Sequence, residues 1–225
     1  LEDVASLFAS LIPKRAHTIE LREPKKVQVN EERFFEETMD LNQAIVVMGY
    51  RTNCSYRDND YYALLVGNGI LGGFAHSKLF MNVREKASLA YSVGSHIEGS
   101  KGLLTITAGI TDDQQEKALA IIGDQVTACQ AGQISPDELE QTKRGLISAM
   151  ISLGDSPAGI IDRNLIGVVE GEMRTIDQVV EAIRRVEHDD CVRVMERIQL
   201  DTTYLLRPGN TENTRDEEGE HHGEN

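Results

Sequence analysis

Gly69-Ile70-Leu71-Gly72-Gly73-Phe74-Ala75-His76-Ser77-Lys78-Leu79-Phe80-Met81-Asn82-Val83-Arg84-Glu85-Lys86-Ala87-Ser88-Leu89-Ala90-Tyr91 is the stretch on which the fold turns. Asp58 and Asn59 are good cap types for a helix through Tyr61–Ile70 that runs into it. Gly72 and Gly73 break that helix, and their composition predicts a turn that needs positive φ. A second helix fits Ser77–Lys86, after which Ala90–Glu98 has the apolar pattern of a strand. The switch from helix to strand leaves Arg84 seven residues before Tyr91. An Arg and a Tyr held together can grip a peptide carbonyl and stabilise a developing oxyanion.

Outward from this stretch the periodicities predict a mixed α+β domain. Before it lie two strand patterns, Phe34–Leu41 and Gln43–Tyr50, the second a run of buried type, Ala44-Ile45-Val46-Val47-Met48. After it, Gly99-Ser100-Lys101-Gly102 joins Ala90–Glu98 to Leu103–Ile110 as a hairpin. Asp112 and Asp113 open a helix to about Ala131, with Ala118, Ile121, Ile122 and Val126 on one face. Ser135-Pro136-Asp137-Glu138 has the form of a capping box with Pro at the first helical position, opening a helix to about Leu153. Helices follow over Ala158–Glu170, Ile176–Arg184 and Asp189–Gln199, then a last strand at Thr202–Leu206. This order gives a two-layer sandwich: a largely antiparallel sheet with helices packed on one face. Residues 1–30 read as an N-terminal helix (2–12) and a charged connector with one strand near Thr18–Leu21. Residues 31–208 form the domain, and 209–225 an acidic tail.

Composition removes several functions. The chain has 225 residues, of which 5% are aromatic and none is Trp, so a site of stacked aromatic rings is unsupported. The net charge of −14 repels nucleic acid. Six acids against one base after Gly209 account for −5 of it, and solubility is the default role of that tail. Absence of an apolar run of membrane length or of a signal peptide fits a bacterial cytoplasmic protein with no membrane partner. The first residue is Leu, which suggests a fragment or a processed chain. Cys54, Cys129 and Cys191 are an odd number and widely spaced, so they signal neither a disulfide framework nor a thiolate zinc site. No G-K-[ST] phosphate loop, G-x-S-x-G elbow, H-E-x-x-H or H-x-x-E-H occurs. His221 and His222 sit in the tail.

Leu71-Gly72-Gly73, then Ser77-Lys78-Leu79-Phe80-x-x-Val83-Arg84-Glu85-Lys86-x-Ser88-Leu89-Ala90-Tyr91-Ser92-Val93, resembles the C-terminal half of the insulinase/pitrilysin-type zinc peptidases. Gln43 through Arg51, Thr107-Ala108-Gly109-Ile110 and Ser135-x-x-Glu138-Leu139-x-x-x-Lys143 extend the likeness over about Phe34 to Leu206. The resemblance implies two homologous halves closing around an unfolded peptide. The N-terminal half carries H-x-x-E-H, and with it the zinc and the Glu that serves its water; the C-terminal half supplies an Arg and a Tyr seven residues apart. Those roles fall on Tyr91, the oxyanion donor, and on Arg84, the substrate-carbonyl donor, with Gly72 and Gly73 as places of close substrate approach. No metal ligand carries over, so zinc is expected on a homologous partner half, upstream in the same chain or on a separate subunit; a homodimer of this chain is a further possible partner. The competing expectation is a non-catalytic homologue acting as scaffold or peptide-binding subunit.

Overall fold

A computed structural model describes residues 2–11 and 26–209. The elements run α1 (Glu2–Leu11), β1 (Arg33–Met39), β2 (Ala44–Arg51), α2 (Tyr61–Asn68), β3 (Ala90–Glu98), β4 (Leu103–Ile110), α3 (Gln115–Gln130), α4 (Pro136–Leu153), α5 (Pro157–Glu170), α6 (Ile176–Arg184), α7 (His188–Met195) and β5 (Gln199–Pro208). The five strands form one sheet in the order β1-β5-β2-β4-β3. All neighbours are antiparallel except β1 and β5. The strand expected near Thr18–Leu21 and the acidic tail lie outside the described residues.

Strand alternation decides which face is covered. Ala44, Val46, Met48 and Tyr50 of β2 are buried, in register with Ile110, Ala108, Ile106 and Leu104 of β4. Leu64 and Val66 of α2, Ile122 and Val126 of α3, Leu139 of α4, Val179 and Ile183 of α6 and Cys191 and Val194 of α7 join them in one continuous core. Burying a side chain of this size contributes about 1.5–3 kcal/mol. The opposite face, with Ile45, Val47 and Gly49, is only half-buried, so β2 alternates where its composition suggested burial on both faces.

Several boundaries differ from those expected. The Tyr61 helix does not stop at a positive-φ turn. It runs on into a π-helical segment, Gly69–Gly73, and neither Gly72 nor Gly73 has positive φ. Here glycine is required by proximity. A Cβ on Gly69 would lie 2.5 Å from Thr142 Cγ2, and one on Gly72 would lie 2.7 Å from the Ser95 backbone N and 2.8 Å from Leu79 Cδ1. The next helical stretch is also widened, Phe80–Lys86 being π-helical. The residue before α2 is Asp60, which pairs with Arg193 and Arg197 and does not cap; Asp58 instead accepts from the N–H and hydroxyl of Ser55. α7 ends at Met195, before the expected Gln199, and β5 starts there rather than at Thr202. Asp201, which argues against a strand by composition, is tolerated inside β5 because Arg33 and Arg51 both bond it. Burial works to raise its pKa, and those two guanidiniums outweigh that and hold it below the usual carboxylate range.

The helix starts follow the sequence more closely. Ser135 Oγ accepts from the Glu138 N–H while the Glu138 carboxylate accepts from the Ser135 N–H, and Pro136 takes the first turn. Glu138 also takes a 2.8 Å ion pair from Lys78, which ties the Gly72–Tyr91 stretch to the start of α4. Burial raises the Glu138 carboxyl and the Lys78 and Ser135 donors more than offset it. Ser135→Ala is expected to cost about 1 kcal/mol, read as a lower urea midpoint at unchanged m-value. Cys54, Cys129 and Cys191 are buried, and burial pushes each thiol up to about 12. The native chain should therefore leave a disulfide-exchange thiol reagent unconsumed at pH 8, and all three thiols should react once urea unfolds it.

Candidate functional site

At the end of the sheet where β2 and β3 begin and β4 stops, a cleft of about 370 Å³ opens between Gln43, Arg84, Glu85, Ser88, Tyr91 and Gly109. The structure thus brings the two residues singled out by spacing into one place. Three departures from regular backbone put them there. The first is the π-helical turn Phe80–Lys86, closed by the Ala87 N–H on the Asn82 carbonyl, 3.2 Å away. It carries Arg84 out of a helix whose inward residue is Val83. The second is Ser88, whose φ of 53° swings the chain from this turn into β3. Such a conformation costs a non-glycine residue on the order of 1–3 kcal/mol. The third is a bulge in β3: Ala90 faces Ile110 and Ser92 faces Gly109, leaving Tyr91 as the extra residue. Its side chain is re-aimed outward and is 81% exposed, so Tyr91 is no core aromatic.

Arg84 has local support. Its guanidinium carbon lies 4.7 Å from the centre of the Phe80 ring, a cation–π contact worth about 0.5–1 kcal/mol at an exposed site. The Glu85 carboxylate stands 3.9 Å from its Nε, too long and too exposed to contribute much. Arg84 lines the cleft, and that pair leaves most of its guanidinium donors unclaimed. Tyr91 has no hydrogen-bond partner among the described residues. The floor is kept low by Gly109, where a Cβ would lie 2.7 Å from Gln43 Nε2 and 3.2 Å from Ser92 Oγ. A cationic fork, a phenolic O–H and a carboxamide therefore converge on one opening, a set of donors suited to carbonyl oxygens.

Gly72 and Gly73 do not line this cleft. Gly72 lies beside the middle of β3, its carbonyl 3.3 Å from the position a Gly94 Cβ would take. Gln43, Glu85, Ser88 and Gly109 belong to the cleft without having been singled out by sequence. One signal was available: a glycine inside the alternating run Thr107-Ala108-Gly109-Ile110 marks close approach by another group.

The zinc implied by the resemblance finds no ligand set among the described residues. Among the described residues no three His, Cys, Asp or Glu side chains gather into a metal-binding group. His76 stacks on Phe74 and hydrogen-bonds with Thr142, and His188 bonds with the Gly132 carbonyl and Asp189. The cysteines are buried in the core.

Comparison with known proteins identifies the family and the fold. The family model described as the Peptidase M16 inactive domain matches residues 1–146. A Bacillus subtilis protein named as the probable inactive metalloprotease YmfF is 39% identical over 191 residues, 85% of this chain and 43% of the relative. A conserved protein from Enterococcus faecalis V583 superposes with a TM-score of 0.82 at 31% identity, over 94% of this chain and 50% of that one. The Peptidase M16 inactive domain from Pseudomonas fluorescens shares the fold with a TM-score of 0.76 at 19% identity, over 93% of this chain and 51% of that one. The chain spans about half the length of these relatives. It belongs to the M16 peptidases, as a member of their inactive-domain family.

Proposed function

We propose that this chain is the zinc-free half of a two-half M16 peptidase and that its cleft holds the carbonyl groups of an extended peptide while a homologous, zinc-bearing half cleaves it. The observation that carries the reading is the convergence of Arg84 and Tyr91 on one opening with their donors left for an outside partner. Arg84 donates to a substrate carbonyl and fixes the register of the peptide. Tyr91 donates its phenolic hydrogen to the carbonyl oxygen on which negative charge develops. Neither group needs to gain or lose a proton for this. β3 lies at the edge of the sheet, where an extended peptide can align by backbone hydrogen bonds largely without regard to its sequence.

A second reading is favoured by the printed name of the YmfF relative, a probable inactive metalloprotease. In that reading the same cleft binds peptide in a scaffold or holding subunit and no bond is cleaved. The two readings part on one substitution. With the zinc-bearing half restored, Tyr91→Phe should lower kcat on an unstructured fluorogenic peptide about a hundredfold, the effect of one lost oxyanion donor, with the circular dichroism spectrum unchanged. Unchanged turnover removes the catalytic assignment. If the wild-type pair shows no turnover, while Arg84→Ala still weakens peptide binding and Tyr91→Phe does not, the peptide-binding reading stands.

A further inference from the structure

One face of α4 carries Arg144, Ile147, Ser148, Ile151 and Ser152. Their spacing, i, i+3, i+4, i+7 and i+8, puts the five side chains in one stripe. α4 packs on α6, whose last residue is Arg184. The stripe and Arg184 line a groove of about 530 Å³, together with Glu140 and Lys143. The charges in it are unevenly satisfied. Lys143 donates to the Val186 carbonyl at 3.0 Å and stands 3.3 Å from the Glu140 carboxylate, so those two cancel. Arg144 donates its Nε–H to the carbonyl of Glu140, one turn back. Among the described residues no carboxylate pairs with Arg144 or with Arg184. Acids are not in short supply, since the chain has 37 against 23 bases, and the adjacent Arg185 does pair with Glu181. Three bases against one acid leave this groove cationic on a chain of net charge −14.

We propose that this groove binds a small amphipathic anion, with a carboxylate or phosphate head between Arg144 and Arg184 and an aliphatic body over Ile147 and Ile151. Each part of the ligand answers a part of the groove. Two cations lining one opening repel each other and draw in an anion. A guanidinium offers parallel N–H donors that match the oxygens of such a head, and the Ser148 and Ser152 hydroxyls stand beside them for the oxygens left over. Ile147 packs on the core and Ile151 is more than half exposed, so an aliphatic body has a surface to cover. A neutral apolar ligand would leave both guanidiniums unanswered, and a bare inorganic anion would leave Ile151 in water. The volume falls within the range of about 300–1,000 Å³ typical of small-ligand sites. The groove shares no lining residue with the cleft of Arg84 and Tyr91, so the inference stands whether or not that cleft acts on a peptide.

Titration calorimetry of the 225-residue chain with octyl phosphate and octanoate tests this, with inorganic phosphate and octyl glucoside as the head and the body alone. At least one of the two amphipathic anions should give a saturable one-to-one isotherm with a Kd below about 1 mM, and the tighter of them identifies the head. Inorganic phosphate and octyl glucoside should bind at least about tenfold more weakly. Arg144→Gln and Arg184→Gln should each raise the Kd about tenfold or more, the effect of losing a charge-assisted hydrogen bond. Arg185→Gln, next to the groove and outside it, should change nothing. Ile151→Ser should weaken the amphipathic anions and leave inorganic phosphate as it was. All four positions are exposed, so the circular dichroism spectrum should not move. No saturable binding, wild-type affinity in both glutamine variants, or inorganic phosphate binding as tightly as octyl phosphate overturns the proposal. Tighter binding of an acetylated Leu-Glu-Leu-Glu peptide than of either anion assigns the groove to a polypeptide, and also overturns it.

Discussion

The chain from Gly69 to Gly73 passes β3 more closely than a Cβ permits, and most of the structure near the cleft depends on that approach. A side chain on Gly72 would collide with the Ser95 backbone and with Leu79. Because glycine stands there, the segment settles against the strand, and Ile70, Leu71, Leu79 and Val83 drop into the core with almost no exposure. The backbone of this stretch contains two π-helical segments, Gly69–Gly73 and Phe80–Lys86. The second of these carries Arg84. The cation is thus placed by the route the backbone takes around β3, with the Phe80 ring as its local rest.

Arg84 and Tyr91 lie on irregular backbone at the end of a regular sheet, and the combination has a physical logic. The ladder between β3 and β4 fixes the positions of Ala90 and Ser92 against Ile110 and Gly109, so the bulge between them has little freedom. Ser88 is more telling. The other non-glycine residue at positive φ among the described residues is Asn53, a type that tolerates the left-handed region through local hydrogen bonding. Serine is less at ease there, and the conformation persists because Val83 and Leu89 are buried on either side of it. Core packing therefore sustains a strained turn whose consequence is the aim of two exposed side chains.

What the sequence revealed and what it hid divide along the same line. The capping box at Ser135 and Glu138 and the β3–β4 hairpin with its terminal glycines were legible because each is fixed by residues a few positions apart. The spacing of Arg84 and Tyr91 was legible as a motif, and the cleft joins them. The π-helical widening, the bulge at Tyr91 and the role of Gln43 were not, because each is set by a distant neighbour: Ser95 for Gly72, Ile110 for Ala90, Gly109 for Gln43. The end of α7 was misplaced for a similar reason. Asp201 looks like a residue to keep out of a strand until Arg33 and Arg51, 168 and 150 positions away, are found to bond it. The outward apolar face of α5, with Ile161, Leu165 and Val168 exposed, escaped too, since its periodicity shows a helix with a polar side and an apolar side and does not show which side meets the core.

The core is sufficient without a partner: strands and helices of this chain enclose it, with Leu64, Leu104, Ile106, Ile122 and Ile183 fully buried. The outer surface is different. α1 has no buried residue although Val4, Leu7, Phe8 and Leu11 form an apolar stripe, and β1 exposes Phe34, Phe35 and Met39. Monomers rarely leave several such surfaces uncovered. A fold of this kind can be inherited, duplicated or joined as a unit, because its interior does not depend on its neighbours. In the proposed reading its chemistry does depend on them, since the cleft supplies hydrogen-bond donors to a peptide and the zinc belongs to the other half. Donors without an activated nucleophile bind a carbonyl and leave it intact. In the proposed reading, whether a peptide held at Arg84 and Tyr91 is cleaved or merely retained is decided by what faces the cleft, and the same surface can serve an enzyme and an inactive relative with no change in its own residues.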